Sequence, residues 1–415
     1  MHSTHTPAVN LSLASKGIGD LANENWHILA EDVSLPIAVL QQSALDNNLQ
    51  WMADYADKMG VKLAPHGKTS MAPSLFKAQI ASGAWAMSLA TAPQVAAACE
   101  NGIQRVVMAN QLVGKRNLEI IAALIRQYQL EFYCFVDSID NANALNDFFQ
   151  PQQLTLNVLI EVGVSGGRCG VRNPQQAMQL AEHIQQLAAI NLSGIAFYEG
   201  VIKSENTALA ITEFVESIKQ LALCMEQQQL FAEGKIIISG AGSAWYDIVA
   251  ETLDAPALSE RFQIVLRPGC YLIHDTGIYQ HAQQQLRQRS TLACDIQGDL
   301  ISSLTLWAYV QSVPELGMAI IGMGKRDAAF DAGLPTPELF FRPGNPQPVA
   351  VDKQWQLTKI MDQHAMLSLP ADSDIQPGDM LSFSTSHPCL TLDKWRTLAI
   401  ADEQWRITQL IDTQF

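Results

Sequence analysis

Between Val61 and Pro268 the chain repeats one pattern, a short apolar run followed by a longer segment of helical periodicity. Runs such as Arg105-Val106-Val107-Met108 and Lys235-Ile236-Ile237-Ile238 are nearly continuous in their apolar character. A parallel strand buried on both faces needs that, because neither face meets water. The pattern predicts strands over 61–66, 85–89, 105–110, 131–136, 156–162, 192–198, 234–240 and 262–268. Helices are expected over 73–82, 91–100, 114–128, 138–149, 174–189, 205–229 and 244–254. Thr91 with Pro93 two residues on, and Asn173 before Pro174, supply helix starts. An amphipathic helix from Ser43 to Met59 precedes the first strand, with Leu45, Leu49, Met52, Tyr55 and Ala56 at helical spacing and Gly60 as its stop. Eight such units point to an α/β fold of the closed (β/α)8 TIM type, the 43–58 helix filling the eighth helical place. A doubly wound open sheet satisfies the same strand count.

After Arg267-Pro268-Gly269 the alternation stops. Period-2 segments follow at Thr291–Ile296, Leu304–Val313, Met318–Ile321, Gln356–Ile360 and Met380–Ser384, punctuated by Pro and Gly. They predict an antiparallel β domain. The expected division is a barrel over 41–270 and a β domain over 271–415, joined by 1–40 through the strand-like Leu35–Leu40. A length of 415 residues, 48% apolar and 16% charged, suits a large domain with a smaller one. The net charge of -15 argues against nucleic acid and acidic membrane surfaces as partners. Met1 to Asn10 lacks the pattern of a secretory signal, and no apolar run reaches membrane-spanning length, so a cytoplasmic location is expected. The seven cysteines include no CxxC pair, and buried free thiols are the default reading of Cys99, Cys134, Cys224 and Cys294.

Several residues fall where such folds keep their chemistry, at the carboxy-terminal ends of the strands. Lys68 follows the first strand in a turn, where it is a surface lysine of a βα turn or a lysine that forms a Schiff base with a carbonyl. His66, two positions earlier, shares its side on an extended chain; it orients a ligand or merely packs. Ser239-Gly240-Ala241-Gly242-Ser243 leaves the seventh strand, and its backbone N–H groups suit an anion such as a phosphate. Gly240, Gly242 and Ser243 are therefore candidate phosphate ligands, with Tyr271 after the eighth strand reaching the same group. A tight turn with a serine cap is the alternative. Arg168, between glycines, is a fixed cation after the fifth strand or a salt-bridged loop residue. Tyr198 closes the sixth strand. His387-Pro388-Cys389 reads as extended, where positions i and i+2 face the same way, so imidazole and thiol can grip one Zn2+. A chance His-x-Cys is the competing reading.

Pro65-His66-Gly67-Lys68-Thr69 resembles the PHxKT motif around the pyridoxal-phosphate (PLP) lysine of the D-threonine aldolase and eukaryotic-type D-serine dehydratase family, which belongs to the alanine-racemase-like, fold-type III class. Ala109-Asn110-Gln111-Leu112-Val113-Gly114 and the run from His387 to Trp395 are similar to the same family. The departures are Gly67 for a usual Ala, Gly163 for a usual Asp, and Val201 where many relatives have His. The resemblance implies that Lys68 carries PLP, that Arg168 contacts its ring, and that Tyr198 lies beside it. It also implies Zn2+ on His387 and Cys389; the cysteine matches the dehydratase version of the site, where aldolase relatives more often carry Asp. The expected activity is that of a PLP- and zinc-dependent lyase on D-3-hydroxy amino acids, with D-serine dehydration to pyruvate and ammonia leading. Lys68, His387 and Cys389 are its catalytic candidates. Retro-aldol cleavage to glycine and an aldehyde is the nearest alternative, and a non-catalytic PLP-homeostasis protein a further one. A homodimer is expected, with the β domain of one subunit over the barrel mouth of the other.

Overall fold

The computed structural model describes residues 16–17 and 25–415. The chain divides into two compact units, Leu49–Tyr271 with Ala282–Gly298, and the described residues up to Asn48 with Leu272–His281 and Asp299–Phe415. β1 (Ile37–Gln41) and α1 (Gln42–Met59) come first. Leu45, Met52, Tyr55 and Ala56 of α1 are buried, as their spacing requires. Gly60 ends the helix with φ +64°, while the Val61 N–H donates to the Ala56 carbonyl at 3.0 Å. A residue with a Cβ would cost roughly 1–2 kcal/mol in that conformation.

The first unit is a ring of parallel strands alternating with helices: β2 (Lys62–Leu63), α2 (Pro73–Ala81), β3 (Met87–Leu89), α3 (Ala92–Glu100), β4 (Arg105–Gln111), α4 (Lys115–Tyr128), β5 (Glu131–Val136), α5 (Ile139–Phe149), β6 (Leu156–Val162), α6 (Pro174–Ile184), β7 (Ile190–Phe197), α7 (Thr207–Gln227), β8 (Ile236–Gly240), α8 (Tyr246–Leu253) and β9 (Phe262–Leu266). The sheet runs β2-β9-β8-β7-β6-β5-β4-β3. It closes where Trp85 and Ser88 donate to the carbonyls of Leu63 and Pro65, both at 2.8 Å. Ala64, Ala86, Val107, Phe135, Leu159, Ala196, Ile237 and Val265, one from each strand or its end, form a single buried layer inside the ring. The barrel is thus a packed core, and its chemistry is confined to the rim. Thr91, Ser138 and Asn173 accept from the backbone N–H three residues on and cap α3, α5 and α6. That capping explains why these helices start at the predicted places.

The stretch after the barrel departs from its predicted pattern at first. α9 (Ile278–Arg289) and α10 (Thr291–Cys294) are helices, and 291–296 is not a strand. Only Gln283 and Leu286 of α9 are buried, so the helix lacks the apolar stripe by which periodicity is read. Ser290 caps α10 by accepting from Ala293 N–H at 3.3 Å, which overrides the apparent alternation. β10 (Leu304–Glu315), β11 (Met318–Ile321), β12 (Thr336–Phe341), β13 (Val349–Ala350), β14 (Gln356–Ile360), β15 (Ala365–Ser368), β16 (Met380–Ser384), the turn α11 (Cys389–Leu392), β17 (Thr397–Ala401) and β18 (Ile407–Asp412) complete the chain. This sheet is antiparallel except where β1 runs parallel to β17. β1 also pairs antiparallel with β10, so Leu35–Leu40 does join the β unit. Trp307, Val39, Met380 and Ala399 lie in its core. Among the described residues no helix is long and apolar enough to cross a membrane.

Candidate active site

Lys68 lies in the 3-10 turn Gly67–Thr69 after β2 and is exposed. The turn is held from below, because a Cβ on Gly269 would meet Thr69 Oγ1 at 2.7 Å and the His66 carbonyl at 2.8 Å. His66 Nδ1 is shielded from solvent and has no hydrogen-bond partner. Burial, then the charges of Lys68, Arg267 and Arg168, hold the His66 imidazole well below its usual range, so it is neutral at physiological pH. All three cations act electrostatically on this one ring. Arg168 stacks over Tyr198, its Cζ 4.3 Å from the ring centroid, a contact of about 1 kcal/mol. Burial, then the Glu199 carboxylate, raises the Tyr198 phenol above its usual range, with Arg168 opposing.

Four polar residues at this rim escape a motif-based reading. Arg267 is 6% exposed and donates to Ser239 Oγ at 2.6 Å and to the Phe197 carbonyl at 2.8 Å. Burial lowers its pKa to about 10, still leaving it a cation. Glu161 is buried and accepts from Gln111 Nε2 at 2.5 Å, and burial pushes its carboxyl above the usual range. Gln111 was visible only as part of a resembling segment. Glu199 is 1% exposed and accepts from the backbone N–H groups of Ala241 at 3.1 Å and Gly242 at 2.8 Å. Only its burial in strand order, next to the motif tyrosine, could have marked it in advance.

The turn after β8 therefore does gather an anion, and here the anion is a side chain of the same unit. Gly240 is required sterically, since a Cβ there would press into the ring of Phe197, and a Cβ on Gly242 would stand in tight contact, 3.0 Å, with the ring of Tyr198. Ser243 Oγ accepts from the N–H groups of Gly269 at 3.0 Å and Cys270 at 2.9 Å, tying this turn to the end of β9. Tyr271 is buried, and its hydroxyl is bonded to Gln79 of α2, which places it in the core of the unit. Gly163, where the family resemblance leads one to expect Asp, has no room for a side chain. The Arg172 guanidinium fills that space and donates to the carbonyls of Arg168, Cys169 and Gly170. Gly170 N–H in turn donates to Asp137 Oδ2 at 2.8 Å. Arg168 is thus presented by a loop whose backbone is fixed from inside.

The donor set fits PLP. The rim offers one exposed amine, two guanidinium cations and an orphaned imidazole nitrogen, while the N–H groups of Ala241 and Gly242 are engaged by Glu199. Lys68 would hold the aldehyde, and Arg168, His66 and Tyr198 would hold the ring.

In the other unit, His387 and Cys389 do not lie on an extended stretch. Pro388 is helical (φ -66°, ψ -40°) and opens the turn α11. Proline's fixed φ suits the start of a helix, which corrects the extended reading. The two side chains meet nevertheless, through a hydrogen bond between them. His387 Nδ1 lies 2.8 Å from Asp331 Oδ2. Cys389 first, and Asp331 after it, push the His387 pKa up to about 9. An imidazole with a carboxylate on Nδ1 and a thiol beside it is the usual surrounding of a metal-ligating histidine, so the residues fit a divalent cation as a two-ligand site. No group of three His, Cys, Asp or Glu that could hold a metal occurs among the described residues.

Residues 40–256 match the family described as "Alanine racemase, N-terminal domain", and residues 303–401 match "Putative serine dehydratase domain". The chain belongs to the alanine racemase N-terminal domain family. It is 26% identical over 364 residues to a D-threonine aldolase of Arthrobacter sp, covering 86% of each chain. It is 24% identical over 243 residues to D-threo-3-hydroxyaspartate dehydratase of Delftia sp. (strain HT23), covering 58% of this chain and 61% of that one. The crystal structure of D-threonine aldolase from Filomicrobium marinum superposes with a TM-score of 0.75 at 21% identity, covering 92% of this chain and 95% of that one. Barrel and β unit together are thus the alanine-racemase-like fold.

Proposed function

We propose that the chain is a PLP- and zinc-dependent D-3-hydroxy amino acid dehydratase, with D-serine as its leading substrate. The chain is an enzyme of the PLP-dependent lyase class, as its aldolase and dehydratase relatives are. The observation that carries the finer reading is the pairing of Cys389, rather than a carboxylate, with His387. A nitrogen and a sulfur ligand favour Zn2+, a Lewis acid suited to a departing hydroxyl.

Bound PLP would supply an electron sink for the pair left at the substrate Cα. Zinc would draw electron density from the β-hydroxyl and ease its departure as water. Lys68 Nζ would hold the cofactor's aldehyde, and its free amine would be the base for the Cα proton. His66, its pKa held down by burial and then by the neighbouring cations, is a poor acceptor for that proton, and it accepts or donates a hydrogen bond at Nδ1. Arg168, fixed by the 163–172 loop, orients the ring from the face of Tyr198. Asp331 holds the His387 ring in one orientation. The net change is D-serine to pyruvate and ammonia, the eliminated water being returned when the enamine product hydrolyses.

Retro-aldol cleavage is the second reading, favoured by the similarity to a D-threonine aldolase over most of both chains. Incubation with D-serine, D-threonine and D-threo-3-hydroxyaspartate, with assays for oxo acid, ammonia, glycine and aldehyde, separates the two. Oxo acid and ammonia in equal amounts support dehydration; glycine with aldehyde overturns it.

The active assembly is proposed to be a symmetric head-to-tail dimer, the β unit of one subunit covering the barrel mouth of the next. Mixing inactive Lys68→Ala and His387→Ala subunits under exchange should restore activity. No recovery, with exchange demonstrated, means that each chain completes its own site.

A further inference from the structure

The corner that carries His387 and Cys389 is built on a second segment, residues 275–277, which no motif marks. Thr276 N–H donates to the Thr385 carbonyl at 3.3 Å, and Thr276 Oγ1 donates to Ser384 Oγ at 2.7 Å. Gly277 lies so close that a Cβ on it would meet Ser386 Cα at 2.9 Å. The residue that opens this segment, Asp275, is 0% exposed. Its Oδ1 accepts from the N–H groups of Gly277, Tyr279 and Gln280 at 2.9, 2.9 and 3.2 Å, capping α9. Its Oδ2 has no partner, and neither does Thr385 Oγ1 across the same contact. An unpartnered carboxylate oxygen in the interior costs several kcal/mol, on the order of 1–3 even for a neutral group, and calls for an explanation. The Asp275 carboxylate also feels the charge of His387, so the two are within electrostatic reach.

We propose that Asp275 is the outer carboxylate of the cation site formed by His387 and Cys389, its Oδ2 accepting hydrogen bonds from the water ligands of the bound ion. This inference rests on the metal reading of that pair. No group of three potential ligands occurs among the described residues, so Asp275 is not proposed as a direct ligand. Asp275 is on this account a positioning residue, fixed by its cap to α9 so that only Oδ2 is free.

The test is zinc affinity of the full-length PLP-loaded protein, measured by competition with a chromophoric chelator, in wild type and Asp275→Asn. The three N–H donors keep the asparagine oxygen in the cap, so its NH2 group stands where Oδ2 stood and replaces an acceptor by a donor. Expected is an affinity for Zn2+ about 10–100-fold weaker, with the thermal midpoint of the metal-free protein unchanged. Asp275→Ser, which also caps, should show the same loss if the asparagine variant does not fold. Unchanged affinity in either folded variant overturns the proposal. So does failure of both to fold, which would make the carboxylate a purely structural cap. If wild type itself binds no zinc, the metal reading of His387 and Cys389 fails instead.

Discussion

His66 and His387 are the same side chain in opposite settings. In the barrel unit His66 is surrounded by Lys68, Arg168 and Arg267 and is held neutral. In the β unit His387 is flanked by Cys389 and Asp331 and is held protonated up to about pH 9. Cations gather around the first imidazole, and a thiol and a carboxylate around the second. A dianionic phosphate on an aldehyde-bearing ring suits the first, and a divalent metal the second. Charge thus separates the two roles more cleanly than any motif does.

The largest effect that breaks this comparison is at Lys68. Lys68→Ala should lose all borohydride-reducible PLP and at least about 10³-fold in turnover, and Lys68→Arg should fail too, since a guanidinium offers no free amine. A reducible lysine adduct surviving in Lys68→Ala would move the cofactor elsewhere.

Next in size is Asp331→Asn. It removes the carboxylate on His387 Nδ1 and should weaken Zn2+ binding about 10–100-fold while leaving PLP content unchanged. Loss of PLP in this variant would mean that the two settings are not separable.

Arg168→Lys should weaken PLP binding about 5-fold, the equivalent of the roughly 1 kcal/mol stacking contact with Tyr198. Equilibrium dialysis of PLP at several salt concentrations measures this. An unchanged affinity would leave Arg168 as a loop residue only.

The smallest effect is on stability against pH. In metal-free protein His387 binds its proton more tightly folded than unfolded. Its contribution is fully present below the ordinary histidine pKa of about 6.5 and is lost as pH rises toward about 9. His274 behaves oppositely: burial lowers its pKa to about 4, so stability falls as pH drops from about 6.5 toward that value. Thermal midpoints of wild type, His387→Gln and His274→Gln across pH 4–9 should show each limb flatten in its own variant.

The barrel was legible because strands such as Ile236–Gly240 are buried on both faces and announce themselves by composition alone. The rim residues fell into two groups. Lys68, Arg168 and Tyr198 end strands or follow glycines and could be picked out. Glu161, inside β6, and Glu199 and Arg267, just past the ends of β7 and β9, could not, because a charged residue there has no local signature until its partners from other strands are known. The β unit was legible only where alternation is clean. α9 is nearly all polar, and Asp275 and Asp331 lie 112 and 56 residues from His387, so no spacing rule joins them.

The central claim is that the β corner is a metal site required for β-elimination and not for holding the cofactor. The direct measurement is zinc content per PLP, together with D-serine turnover, in wild type, chelator-treated protein and Cys389→Ala. The account predicts about one zinc per PLP in wild type, loss of pyruvate formation with the metal, and an unchanged PLP absorbance throughout. Full D-serine turnover in metal-free protein would contradict it.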